Sequence, residues 1–315
     1  MAVRSDAMVI CYGSILPDRV LRLPRFPRPG EGLHALDEAL YLGGEPCNVG
    51  GHLAAWEVPV LLAGNDLGCD AAGAFVRSRL AARPNTTLVV RDDDRLQTPT
   101  CYVWATPDGE RTMIPSWPKA RSWALPDDAQ LRAARLVSVS IYGPGMEAMI
   151  ELARQHARPL AIADVSGPDD PRLAGAAIVT TSRAVLRLRW GVEDAIAWMR
   201  AVAARSGALV VVSDGPRPLW ALTPEGGWWQ VTPPAINVVD TTGAGDALKA
   251  GVIYGWLQGW PLARTLRWAV AAASLQCQWP GACERAPTPA EITALMARVP
   301  LVQRAPEHTI EYQGA

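Results

Sequence analysis

Residues 237–251 (NVVDTTGAGDALKAG) place an acid, Asp246, directly after the small-residue turn Gly243-Ala244-Gly245. A short β-branched run at 235–239 precedes the turn and reads as a strand or extended segment. Residues 247–257 have helix length and few breakers, so the turn falls at a helix N-terminus. Backbone N–H groups there have no intrahelical partner, and the macrodipole adds partial positive charge. Small side chains let an anion approach those groups. A carboxylate fixed beside such a hole suits phosphoryl transfer, in which a hydroxyl loses its proton while charge builds on the transferring group. The simpler alternative is a glycine-rich helix cap, with Asp246 complementing the dipole.

A second segment, 41–51 (YLGGEPCNVGG), joins Gly43 and Gly44 to Asn48. The glycines permit close backbone approach, and Asn48 offers a donor and an acceptor to a hydroxyl-rich ligand. A loop needing positive φ, with Asn48 as a helix cap, accounts for the same residues. Arg111, after the turn at 107–109, is placed to reach the site from a β-hairpin or to stand as solvated hairpin charge.

The elements around these segments alternate. Strand-like runs at 7–12, 58–63, 86–90, 136–141, 160–165, 176–180 and 208–213 are interleaved with helical stretches at 49–56, 70–82, 147–157 and 192–204. Two short strands near 218–222 and 228–231 precede the signature turn, and helices at 244–257 and 262–278 follow it. The alternation predicts parallel β-α-β units with helices on both sheet faces. Strands near 19–42 and 98–115 fit poorly into that core and read as a small separate sheet. No linker long enough to divide the chain is present, so residues 1–315 are expected to form one domain.

The strings DTTGAGD (240–246), followed by Ala250-Gly251, and GGEPCN (43–48) resemble the two signatures of the ribokinase/PfkB family of sugar kinases, in the right order and about 200 residues apart. The resemblance implies a ribokinase-like, doubly wound α/β/α core with a small β-sheet lid. It implies ATP, with Mg²⁺, as phosphoryl donor and a sugar or sugar-like acceptor. Asp246 becomes the general base, and Gly243, Ala244 and Gly245 form the anion hole. Gly43, Gly44, Asn48 and Arg111 fall to the acceptor. Asp18, in GSILPD (13–18), matches the acid that grips acceptor hydroxyls, although an exposed turn acid is the alternative. Ser213 and Gly215 resemble the nucleotide-binding turn, or an ordinary Asp-Gly turn, and Gly281-Ala282 resemble the loop flanking adenine. Asp240 and Thr242 stand where the family often holds a monovalent cation such as K⁺. Two departures stand out. Leu16 replaces an asparagine often found in ribokinase, which weakens the case for ribose. The Asn-x-x-Glu segment is absent at 181–185 (TSRAV), where Arg183 is a candidate substitute charge.

Bulk properties exclude several classes. With 49 % hydrophobic and 19 % charged residues the chain can build a substantial core, and a net charge of −1 gives no overall field for nucleic acid or anionic membranes. Six scattered cysteines lack a CxxC pair and four histidines lack HExxH, so a metal cage is not expected. No signal-like start or membrane-length apolar run is present, and a cytoplasmic protein is expected. A homodimer through the lid is the expected assembly. Two rivals stay open: a nucleoside kinase, and a sugar-binding regulatory protein with weakened catalysis. A Walker A string and a dinucleotide fingerprint after the first strand are both missing.

Overall fold

The computed structural model describes residues 8–107, 111–118, 122–140 and 145–304. Its strands in chain order are β1 (Met8–Gly13), β2 (Leu16–Arg22), β3 (Asp37–Gly43), β4 (Val60–Gly64), β5 (Leu67–Gly68), β6 (Thr86–Val89), β7 (Asp92–Asp93) and β8 (Thr100–Ala105). They continue with β9 (Arg111–Ser116), β10 (Ala134–Val139), β11 (Leu160–Ala163), β12 (Ala176–Ser182), β13 (Leu209–Asp214), β14 (Arg217–Leu222), β15 (Trp228–Val231) and β16 (Leu301–Arg304). The helices are α1 (Glu45–Ala55), α2 (Ala71–Ala81), α3 (Asp128–Ala133), α4 (Met146–Gln155), α5 (Arg183–Trp190), α6 (Ala195–Ser206), α7 (Ala244–Leu257), α8 (Leu262–Gln276) and α9 (Pro289–Met296).

Ten strands form one sheet in the order β16-β15-β14-β13-β12-β11-β10-β1-β4-β6. From β6 to β13 neighbouring strands are parallel, and β14 to β16 extend the edge antiparallel. Parallel strands buried on both faces need apolar side chains on both. In β1, Val9 and Cys11 pack toward one face, with residues of α1, α7, α8 and α9. Ile10 and Tyr12 of the same strand pack toward the other face, with α4 and α6. Each such aliphatic side chain contributes about 1.5–3 kcal/mol on burial. The chain winds outward from β1 in one direction and from β10 in the other, so the crevice beyond their C-terminal ends is a topological switch point.

A second sheet, β3-β2-β8-β9, stands over that crevice as the lid. Register puts Asp18 opposite Tyr41 and Cys101, with Arg111 opposite Ala105, on one pleat face. Residues 108 and 109 of the turn expected at 107–109 lie outside the described residues.

Of the two readings of residues 235–239, the extended segment holds: Val238 and Val239 are 57 % and 52 % exposed, and the Val239 N–H donates to the Cys277 carbonyl. Helix α1 starts at Glu45, earlier than position 49, because Gly44 serves as its N-cap and Pro46 fits the first turn. Asn48 therefore lies inside the helix and is not its cap. Helices α3, α5 and α9 and strand β16 carried too short an apolar pattern to be anticipated. α5 is set by the Ser182 hydroxyl, which accepts from the Val185 N–H at 3.1 Å.

Helices α7 and α8 pack closely because Gly251 lacks a side chain; a Cβ there would lie 2.5 Å from the Ala269 Cα. Gly251→Leu is expected to destabilise the fold by about 3 kcal/mol, the upper range for overpacking. Urea unfolding measures it, and an unchanged midpoint would contradict this packing.

Candidate active site

Two helix N-termini at the crevice carry an acid in the first turn: Glu45 on α1 and Asp246 on α7. Gly243 caps α7 with φ 77°, and any side chain there would run into the Ala282 backbone. The Ala244 N–H closes weakly onto the Thr241 carbonyl at 3.3 Å, and the Ala247 N–H makes the first bond back to Gly243, at 2.8 Å. The N–H groups of Gly243, Gly245 and Asp246 have no acceptor among the described residues. Space beside the Gly245 Cα is open. Three N–H groups thus remain unpaired at this helix start, while that of Ala244 closes the loop.

The Asp246 carboxylate accepts from the Asn48 amide, Nδ2 to Oδ2 at 2.7 Å. One turn on, the buried Lys249 ammonium meets Glu45 Oε1 at 2.7 Å and the Val139 carbonyl at 3.3 Å. Burial pushes the Asp246 carboxyl well above the ordinary carboxylate range, and the Glu45 charge adds to this, while the Asn48 hydrogen bond and Lys249 oppose it. A carboxyl so raised is suited to general base work near neutral pH. Asp164, just after β11, holds the Thr181 hydroxyl at 2.7 Å and is likewise raised, first by burial.

A cavity of about 540 Å³ opens above these groups. Of the residues singled out in the sequence, Asp18, Gly44, Asn48, Arg111, Ser213, Thr242, Gly243, Gly245 and Asp246 line it. Arg111 spans from the lid to the Thr241 hydroxyl at 2.7 Å. A neighbouring cavity of about 520 Å³ shares Asp18, Arg111 and Thr242 and adds Asp240, Gly281 and Ala282. Gly43, Ala244 and Gly215 line neither. The absence of a side chain at Gly43 makes room for the Asp18 carboxylate. Ser213 and the Gly281-Ala282 pair, both expected at the nucleotide, are thus on different cavities, and Gly281 packs beside the Tyr41 ring of the lid. Arg183 faces Asp214 at 3.5 Å and lines neither cavity. Asp240 ties loops together, accepting from the Thr242 N–H at 2.8 Å, the Thr242 hydroxyl at 2.6 Å and the Gly281 N–H at 3.0 Å.

Residues 6–289 match the pfkB family of carbohydrate kinases. The chain belongs to that family. Its 1-phosphofructokinase from Escherichia coli K12 is 37 % identical over 112 residues, 35 % of this chain and 34 % of that protein. Fructoselysine 6-kinase from the same strain is 33 % identical over 85 residues, covering 27 % and 32 %. The chain thus matches about a third of the length of these curated relatives. Arabidopsis thaliana ribokinase, solved with ribose and ATP, superposes with a TM-score of 0.77 at 24 % identity, over 92 % of this chain and 98 % of that one. A microbiome-derived acarbose kinase gives 0.77 at 20 % identity, over 93 % and 99 %. The ribokinase-like pfkB fold expected from the signatures is therefore present.

Glu45, Lys249, Asp164, Ser140 and Trp117 also line the larger cavity and were not singled out in the sequence. Lys249 did carry a signal, as the lone charge in the apolar run from Ala247 to Leu257.

Asp18 tests the electrostatics of this pfkB site. Burial pushes its carboxyl up to about 7, partly offset by the Cys101 thiol. The folded state therefore holds a proton that the unfolded chain releases at the ordinary carboxylate value near 4. The stability from this group is complete below that value and is lost as pH rises toward 7. Asp18→Asn is expected to raise the melting temperature relative to the parent at pH 8 and not at pH 4; an equal shift at both would contradict the assignment.

Proposed function

We propose that the chain transfers the γ-phosphoryl group of ATP to a hydroxyl of a sugar or sugar-like acceptor, with Asp246 as general base. The observation that carries this is a carboxylate with a raised pKa standing among unpaired N–H groups at a helix N-terminus, on the floor of a cavity that a lid covers. The acceptor hydroxyl would give its proton to Asp246 as its oxygen bonds to phosphorus, and the phosphorus–oxygen bond to ADP breaks. The N–H groups of Gly243, Gly245 and Asp246 would take the charge of the transferring group. Buried Asn48 Oδ1 has no partner and is free to accept from an acceptor hydroxyl, while Asp18 would hold another. Arg111 would fasten the lid over the acceptor and exclude water, limiting hydrolysis of ATP. Ser213 would lie toward the nucleotide. Relatives named 1-phosphofructokinase and fructoselysine 6-kinase support a sugar acceptor, as does a fold neighbour holding ribose and ATP.

Mg²⁺ fits Asp164, a carboxyl on the cavity wall that burial drives toward protonation, while among the described residues no three acidic, histidine or cysteine side chains close on one metal position. Asp164 would receive the hydrated metal carried by ATP, in place of the missing Asn-x-x-Glu. Bound there, Mg²⁺ would supply charge neutralisation for the phosphates. A monovalent cation fits less well at Asp240, whose oxygens already take three donors. Tyr102 and Ile114, exposed and paired across β8 and β9, would form the homodimer face on the outer lid within the same proposal. Among the described residues no helix is long and apolar enough to cross a membrane, and a cytoplasmic location belongs to this reading.

A screen of sugars, sugar phosphates and nucleosides for acceptor-dependent ADP release is expected to return a sugar. Asp246→Asn is expected to lower kcat by roughly 10²-fold or more while leaving acceptor binding, measured by calorimetry, nearly unchanged. Parental turnover in that variant would refute the base.

A further inference from the structure

Two crossed side-chain pairs join the N-terminal ends of α1 and α7. Glu45 and Asn48 stand three residues apart on α1, and Asp246 and Lys249 three apart on α7, so each pair shares a helix face. Asn48 reaches Asp246 and Lys249 reaches Glu45, both at 2.7 Å. The ion pair is deeply buried, with the Lys249 side chain 2 % and the Glu45 side chain 11 % exposed. A buried ion pair gives little or no stability over apolar packing of the same size, and every other residue of α7 beyond Asp246 is apolar, glycine or tyrosine. The placement of this one pair is explained by what lies beside it.

We propose that Glu45 and Lys249 are positioning residues for phosphoryl transfer: their ion pair locks the two helix N-termini together and fixes both the orientation of Asp246 and the charge around it. The inference rests on Asp246 as the base. Lys249 Nζ is also tied to the Val139 carbonyl at the end of β10, so the lock is anchored to the sheet at the switch point. The groups that face Asp246 are Glu45 and Asn48 from α1, Lys249 from its own helix, Asp164 after β11 and Cys283 from the loop after α8. Arg111 of the lid lines the same cavity. Cys11 of β1 faces the ion pair from beneath and is held as a neutral thiol by burial. Within this group Lys249 favours the ionised carboxylate, while Glu45 and Asp164 oppose it.

The two partners of the pair therefore have opposite electrostatic effects on the base but the same mechanical effect on the helices, and this separates the proposal from a purely structural role. Steady-state kcat and KM are measured across pH with ATP and the acceptor that gives fastest ADP release in the screen, for the parent, Glu45→Gln, Lys249→Met and the double variant Glu45→Gln/Lys249→Gln. Both single variants are expected to melt earlier, since both break one contact. Lys249→Met is expected to move the acid limb of the kcat profile to higher pH and to lower kcat roughly tenfold through misplacement of the base, with KM little changed. Glu45→Gln is expected to move the same limb to lower pH. The neutral double variant is expected to return it toward the parent. If Lys249→Met does not fold, the direction of the Glu45→Gln shift decides by itself. Limbs that move the same way in both single variants, or not at all, overturn the inference while leaving Asp246 as the base. No acceptor-dependent ADP release from the parent at any pH overturns both.

Discussion

The meeting of two helix N-termini over the switch point of the sheet is the constraint on which the site depends. An isolated helix start offers unpaired N–H groups and partial positive charge. Here α7 brings its start to the crevice through the Gly243 cap, whose close approach to Ala282 admits no side chain. The N-terminus of α1 arrives from the opposite side through Gly44. Each contributes an acid, and the surroundings determine what the two acids become: Glu45 is paired with Lys249, while Asp246 receives only a neutral amide. One carboxylate is thereby committed to a salt bridge, and the other is left available for a proton.

The lid extends the same electrostatic arrangement. Asp18 is buried against Gly43 and the Cys101 thiol without a cation, so its carboxyl is raised as well. Arg111 carries the compensating charge at the opposite edge of the lid, where it grips Thr241. A cavity with raised carboxyls, unpaired N–H groups and an arginine tied to Thr241 suits ligands that bring both hydroxyls and negative charge.

Much of this was legible in the residues. The turn at 243–245 announced α7 because small residues before an apolar helical run have few other uses, and α7 begins at Ala244 as expected. The β-α-β alternation revealed the parallel core because each strand carries apolar residues on both faces. The connector at 235–239 read equally as a strand or an extended segment, since β-branched residues suit extended backbone whether or not a neighbouring strand exists, and only tertiary position decides between them. The role of Asn48 was visible only as a hydroxyl contact; its bond to Asp246 joins positions 198 apart in sequence, which no local pattern encodes. The pairing of Lys249 with Glu45, 204 apart, was hidden for the same reason, although Lys249 itself stood out as a lone charge in an apolar run. Gly215 and Ala244 matched family positions, yet neither lines either of the two cavities described above.

The most direct test of the central claim is a crystal structure with ADP, Mg²⁺, aluminium fluoride and the acceptor found in the screen. The account predicts the aluminium fluoride group against the N–H groups of Gly243, Gly245 and Asp246, with an acceptor oxygen between it and the Asp246 carboxylate. An anion seated elsewhere, or an acceptor whose hydroxyls all lie beyond hydrogen-bonding reach of Asp246, would contradict it.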